Sequence, residues 1–233
     1  MKLVHPDIDH VFSFDSDHVN SLVVEHQTLF LKLAEDIASQ MDGNDGNYIL
    51  SEKDADLPIA KNVELLTQFA PFDINTKSLL SKIVSKLEVS ANDDFLEQST
   101  RILADAERLI HDLCFELSLP EVVLEKMSIG SILKASGLKF LNSTHDLPEQ
   151  LLDYFELSSR FERKKLFFCV NLRSYISDSQ MNGFLKICLE HGYHLLLLDS
   201  HECERLEMEK RVIVDRDLSV ISGEKNLPSH ILT

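Results

Sequence analysis

Two apolar runs stand out along the chain, "KLFFCVNL" at 165–172 and "HLLLLDSH" at 194–201. Each is too short to span a membrane and too uniform to alternate between core and water, so each predicts a strand buried on both faces. Between them, Met181, Phe184, Leu185, Cys188 and Leu189 recur at the i, i+3, i+4, i+7, i+8 spacing of one buried helical face. Ser177 followed by Gln180 is a capping-box pattern at the start of that helix, and Gly192 stands where a left-handed cap ends it. Strand, helix and strand succeed one another within a short stretch, which predicts a βαβ unit with parallel strands. Ligands on such sheets bind beyond the carboxyl ends of the strands. Asn171 and Asp199 lie at those ends.

Upstream, "SLVVE" at 21–25 predicts a strand, "HQTLFLKLAEDIASQM" a helix and "YILSE" at 48–52 another strand. "PFDIN" at 71–75 reads as a turn, with Asn75 able to cap a helix that starts there. From 76 to about 136 the periodicity is helical throughout. Leu79, Leu80, Ile83, Val84 and Leu87 form one stripe. Phe95, Ile102, Leu103, Leu109, Ile110, Leu113 and Leu117 form a second. Pro120 breaks the chain, and a third helix is expected over about 121–136. A further helix is expected over 147–162, with Pro148 in its opening turn. "KRVIVD" at 210–215 and "LSVI" at 218–221 are strand candidates in the tail. The order is strands, helices, strands. It predicts an α/β fold with a discontinuous head, residues 1–72 and 141–233, and a helical arm inserted at 73–140.

Composition narrows the class. Hydrophobic residues make up 44% and charged residues 27% of 233 residues, which is ordinary for a globular chain. No apolar run approaches the ~20 residues a membrane helix needs, so no span is expected. The four cysteines form no C-x-x-C pair and read as reduced residues of a cytoplasmic protein. The net charge is −16, which on its own argues against phosphate backbones. That charge is uneven, however. Residues 75–140 hold eight basic and ten acidic side chains, leaving fifteen basic and twenty-nine acidic elsewhere. The arm is therefore nearly neutral, and Lys82 and Lys86 share one helical face on it, as do Arg101 and Arg108. Such pairs are either a basic contact surface or ordinary solvated helix.

The candidate chemistry is sparse. An apolar strand ending in Asp199 has the form of the magnesium-side motif of a phosphate-loop ATPase. Its partner motif is missing: none of the seven glycines stands in G-x-x-x-x-G-K-[ST], and "GNDG" at 43–46 reads as a turn. No nucleotide is therefore expected to bind. His191, His194 and His201 with Asp199 could suit zinc or iron, but nothing in their spacing requires them to converge. Glu116, Glu121 and Glu125 around Pro120 offer the hard oxygens that calcium takes, or equally an acidic, solvent-facing stretch. No G-x-S-x-G elbow or recognisable nucleophilic cysteine occurs.

Three longer stretches carry a resemblance. "PFDIN" running into "SLLSKIVSKLE", "SIGSILKASGLKF" at 128–140, and "RKKLFFCVNLRSYISDSQMNGFLKICLEHGYHLLLLDSHE" resemble segments of the small ring-forming accessory protein of type II-A CRISPR systems. That resemblance implies an α/β head like a degenerate phosphate-loop NTPase domain, without its nucleotide motifs, plus a helical arm. It implies a non-enzymatic homotetramer, acting in antiviral defence during spacer acquisition. The implied partners are the ends of double-stranded DNA, other adaptation proteins and the effector nuclease. Calcium is implied as the ion supporting assembly. By the same resemblance, Lys126, Lys134 and Lys139 join Lys82 and Lys86 as DNA contacts. Glu116, Glu121 and Glu125 are what remains of the family's acid-rich, calcium-binding stretch. A divergent nucleotide hydrolase using Asp199 and a protein-binding scaffold remain the alternatives.

Overall fold

The structure is a computed structural model that describes residues 1–14, 17–141 and 146–222. It divides into two compact units, one formed by Met1–Phe72 and Ser143–Thr233, the other by Asp73–Asn142.

The first unit is α/β. It contains strands β1 (Lys2–His5), β2 (Ile8–Ser13), β3 (Val19–Val24), β4 (Ile49–Glu52), β5 (Ala55–Leu57) and β6 (Val63–Leu66) from the first segment. Helix α1 (Gln27–Met41) and the single turn α2 (Ile59–Asn62) lie between them. Strands β3 and β4 fall on the strands expected at 21–25 and 48–52, whereas β1, β2, β5 and β6 have no clean period. Strands β1, β2, β4 and β5 form a small antiparallel sheet in the order β2-β1-β4-β5.

The larger sheet adds β7 (Leu166–Val170), β8 (His194–Asp199), β9 (Glu209–Val214) and β10 (Val220–Ser222). Its order is β10-β9-β3-β8-β7-β6, parallel throughout except for the terminal β10–β9 pair. Strands β3 and β7 are buried at every position, as is β8 from Leu195 onward, which is what strands covered on both faces require. Alternation along them splits the core into two layers. Leu166, Phe168, Val170, Leu196 and Leu198 join Leu29, Leu33 and Ile37 of α1, Leu3, Phe12 and Leu50 of the small sheet, and Tyr48 just before β4. On the other face Phe167 stacks on Phe155, with ring centroids 3.8 Å apart, and Phe155 lies beside Phe184. Phe155 belongs to α6 (Leu147–Leu157) and Phe184 to α7 (Asp178–Glu190).

The βαβ expectation holds in detail. Ser177 and Gln180 form the capping box of α7, Gly192 takes φ +71° just past its end, and β7 pairs β8 in parallel. The expected helix over 147–162 is α6 followed by a π turn, Ser158–Glu162, and Arg163 ends it in the left-handed region.

The second unit is helical, with α3 (Lys77–Asp93), α4 (Leu96–Glu116) and α5 (Ile129–Ala135). Two expectations need correction here. The cap of α3 is Thr76, whose hydroxyl accepts from the Leu79 N–H. Asn75 instead bonds the backbone of Phe140 in both directions, at 2.7 and 3.1 Å, and so ties together the two ends of the unit. The third helix is also shorter than its periodicity suggests. It begins only where Ser128 caps the Ser131 N–H, because the β-branched pair Val122–Val123 behind Pro120 offers little helix propensity. Within the unit α3 and α5 pack together, burying Leu79, Ile83, Val84 and Ile129. Helix α4 meets α3 near its start, where Ser99 donates to the Ala91 carbonyl, and Ser99 is its only buried residue.

Candidate functional site

At the carboxyl ends of the parallel strands a cleft of about 610 Å³ is lined by Glu25, His26, Gln27, Thr28, Ser200, His201 and Arg216. These residues come after β3, β8 and β9. Strand β3 lies between the other two, and the connections from β3 and from β8 leave in opposite directions along the sheet. This is the position at which open α/β sheets place ligands. The local chemistry, however, is not that of a phosphate cradle. Only Glu25 and His26 separate β3 from α1, and neither is glycine. The His26 imidazole accepts from the Leu29 N–H at 3.2 Å and so takes one of the donors that a phosphate would need.

Asp199 ends β8 beside this cleft but faces little water, being 2% exposed. Neither of its carboxyl oxygens accepts a well-formed hydrogen bond. Burial pushes its pKa up to about 6, with the Arg173 guanidinium opposing that shift and Glu209 adding to it. Asn171, at the end of β7, holds the next loop in place: its side-chain oxygen accepts from the Ser200 N–H at 2.9 Å.

Behind the strand ends lies a buried ionic network that no sequence pattern announces. Glu209 and Arg211 are two residues apart on β9 and therefore on one face. Arg211 binds Glu209 in a bidentate pair, with both contacts at 2.8 Å. Its remaining donors reach the carbonyls of Cys203 and Glu204. Arg173 reaches Glu209 at 3.3 Å, Asp178 at 2.7 Å and the Glu204 carbonyl at 2.7 Å. Burial alone would raise the pKa of Glu209, but hydrogen bonds from Arg211 and the Leu206 N–H outweigh it and hold the carboxyl below its ordinary range. Two arginines and two acids thus serve to fix the loop from 203 to 206. The only visible signal is charge inside otherwise apolar runs, "VNLRSY" and "EKRVIV".

The basic side chains differ in what they touch. In the α/β unit Lys164 donates to the carbonyls of Ala60 and Val63 and pairs with Glu64 at 3.3 Å, and Lys165 pairs with Glu52 at 2.7 Å. In the helical unit Lys77, Lys82, Lys86, Lys126, Lys134 and Lys139 are exposed and, among the described residues, form no ion pair. Lys82 and Lys86 share a face of α3. Lys134 sits in the last turn of α5, which packs on α3. Lys126 and Lys139 lie outside helices.

The acids do not converge. Among the described residues no three His, Cys, Asp or Glu side chains are grouped so as to hold a metal ion. Glu116 ends α4, whereas Glu121 and Glu125 lie in the irregular stretch that replaces the expected helix start. Within one chain the three are not grouped. His191, His194 and His201 likewise stay apart, at the end of α7, the start of β8 and the loop after it. The four cysteines are free thiols, and no helix among the described residues is long and apolar enough to cross a membrane.

The profile of a family of CRISPR-associated proteins, Cas_Csn2, matches residues 40–218, more than three quarters of the chain. No curated protein matches it.

Proposed function

The chain belongs to the Cas_Csn2 family of CRISPR-associated proteins, and from that premise we propose that it serves spacer acquisition as a non-enzymatic subunit that assembles into a ring and binds the ends of double-stranded DNA. The observation that carries this reading is the set of lysines on the helical unit that form no ion pair among the described residues. Affinity for DNA follows the number of phosphates neutralised locally rather than the net charge of the chain. An exposed lysine without a carboxylate partner is free to release counterions from a phosphate, whereas Lys164, Lys165, Arg173 and Arg211 are already engaged by the fold.

We read the α/β unit as a phosphate-loop frame that no longer holds a nucleotide. Its support is the parallel order β9-β3-β8-β7-β6 with an acid at the end of β8, together with the two-residue, glycine-free link between β3 and α1. Asp199 is buried, so its carboxylate is little accessible to a magnesium ion. Assembly into a tetramer is supported by the apolar stripe that α4 leaves exposed. Calcium carries no step of this reading, because the acids implied by the resemblance do not gather. The adaptation proteins and the effector nuclease are proposed as its partners on family membership alone.

A competition experiment tests the proposal. A labelled linear duplex is challenged with unlabelled linear and covalently closed circular DNA of equal length, and ATP turnover is followed in parallel. The expected result is strong competition by linear fragments, weak competition by circles and no turnover. Equal competition by circles would replace threading onto ends with side-on binding. Turnover that vanishes in Asp199→Ala would reinstate the hydrolase. Absence of duplex binding at low salt would leave only a protein-binding scaffold.

A further inference from the structure

Helix α5 has only seven residues, too few to be stable in isolation. Two contacts fix the stretch to which it belongs. At the far end, Asn75 bonds the Phe140 backbone in both directions. At the near end, Ile129 and Gly130 are buried where α5 packs on α3. There the half-buried Glu88 of α3, one turn after the buried Val84, lays its carboxyl group over the bare Cα of Gly130. A Cβ at position 130 would overlap the carboxyl carbon and both oxygens. Lys134 and Lys139 are the basic residues between these two fixed points.

Neither residue is explained by local preference. Gly130 lies inside the helix without a left-handed φ, where glycine costs about 1 kcal/mol relative to alanine. What requires glycine is the close approach of Glu88. Among the described residues Glu88 has no ion-pair partner, so packing and not a countercharge holds it there. Its charge also works against a phosphate, since Lys134 stands one turn beyond Gly130 on α5. We propose that Glu88, through its contact with Gly130, is a positioning residue: it seats α5 on α3 so that Lys134 and Lys139 meet a phosphate backbone already ordered, without itself touching the DNA. Lysine-bearing backbone that is ordered in advance spares binding the cost of ordering it. This rests on the DNA reading above and adds to it how two of the lysines are held.

The test titrates a labelled duplex into the full chain and into Glu88→Gln, Glu88→Ala, Gly130→Ala and the double variant Glu88→Ala/Gly130→Ala. Hydrogen exchange over residues 131–140 is followed without DNA on the same samples. Glu88→Gln keeps the shape and loses the charge, so it should bind at least as tightly as the starting protein. Glu88→Ala loses the same charge but uncovers Gly130. It should bind about threefold or more weaker than Glu88→Gln, and its 131–140 amides should exchange faster. Gly130→Ala displaces Glu88 while favouring the helix, and it too should weaken binding. In the Glu88→Ala background it should do no further harm, because the two changes remove one contact. A Glu88→Ala protein that binds as tightly as Glu88→Gln would overturn the positioning role. So would a Gly130→Ala effect of equal size in both backgrounds, or exchange that is the same in every variant. Should Glu88→Ala not fold, Gly130→Ala set against Glu88→Gln decides the question. If no protein in the set binds duplex, the DNA reading fails and takes the positioning role with it. If all bind alike, the positioning role fails alone.

Discussion

Replacing Asp199 by Asn keeps the shape of the side chain and removes its charge. The native carboxyl is 2% exposed, accepts no well-formed hydrogen bond and ionises at about 6 instead of its ordinary 3.8. An acid whose pKa is raised on folding binds more protons in the native state than in the unfolded one. It therefore stabilises the fold relatively at low pH, and that contribution is lost as pH rises from about 4 through about 6. A pKa raised this far amounts to about 3 kcal/mol of destabilisation once Asp199 is fully ionised. The protein approaches its isoelectric point near 4.9, so the practical window is about pH 5 to 8. About half of the effect, roughly 1.4 kcal/mol, falls within it. Urea unfolding at fixed protein concentration, repeated across that window, should show Asp199→Asn gaining on the starting protein as pH rises. Any constant offset from burying the amide is the same at each pH and cancels in the comparison. A difference that stays flat with pH, or grows toward acid, would refute the reasoning, because it would mean that Asp199 is satisfied by a partner when ionised.

Arg211→Ala should cost about 3–5 kcal/mol, since it strips the bidentate partner from a buried Glu209, and a fall in melting temperature of several degrees or more checks it. Gly192→Ala should cost about 1 kcal/mol from backbone strain alone, because a Cβ there meets nothing within 4 Å yet φ is +71°; urea unfolding measures it. Lys134→Ala with Lys139→Ala should weaken duplex binding equally on unrelated sequences and flatten the salt dependence of log K by about 0.9 for each phosphate no longer neutralised. Fluorescence anisotropy across a salt series reads that slope, and an unchanged slope would return both lysines to plain solvated surface.

What the sequence determined by itself was whatever local periodicity encodes. The βαβ unit around α7 was legible because its cap, apolar face, terminal glycine and flanking strands are all neighbours in the chain. The absence of a phosphate loop was legible for the same reason, since that motif is contiguous. The short strands β1, β2, β5 and β6 were not, because a strand of three to six residues is fixed by its pairing partner and not by its own pattern. Tertiary structure also decided the fate of individual side chains. Asn75 has the chemistry of a cap, but Phe140, sixty-five residues away, offers it two backbone hydrogen bonds, and Thr76 caps the helix instead. Lys164 and Lys165 read as free as Lys134 until the fold brings Glu64 and Glu52 within reach. The network of Arg173, Glu209 and Arg211 joins a loop to a strand almost forty residues on, and only burial makes those charges partners. The stripe on α4 is the reverse case. Its period predicts an apolar face, and the fold leaves that face uncovered, because hydrophobic spacing specifies that a surface will be buried but not which surface will bury it.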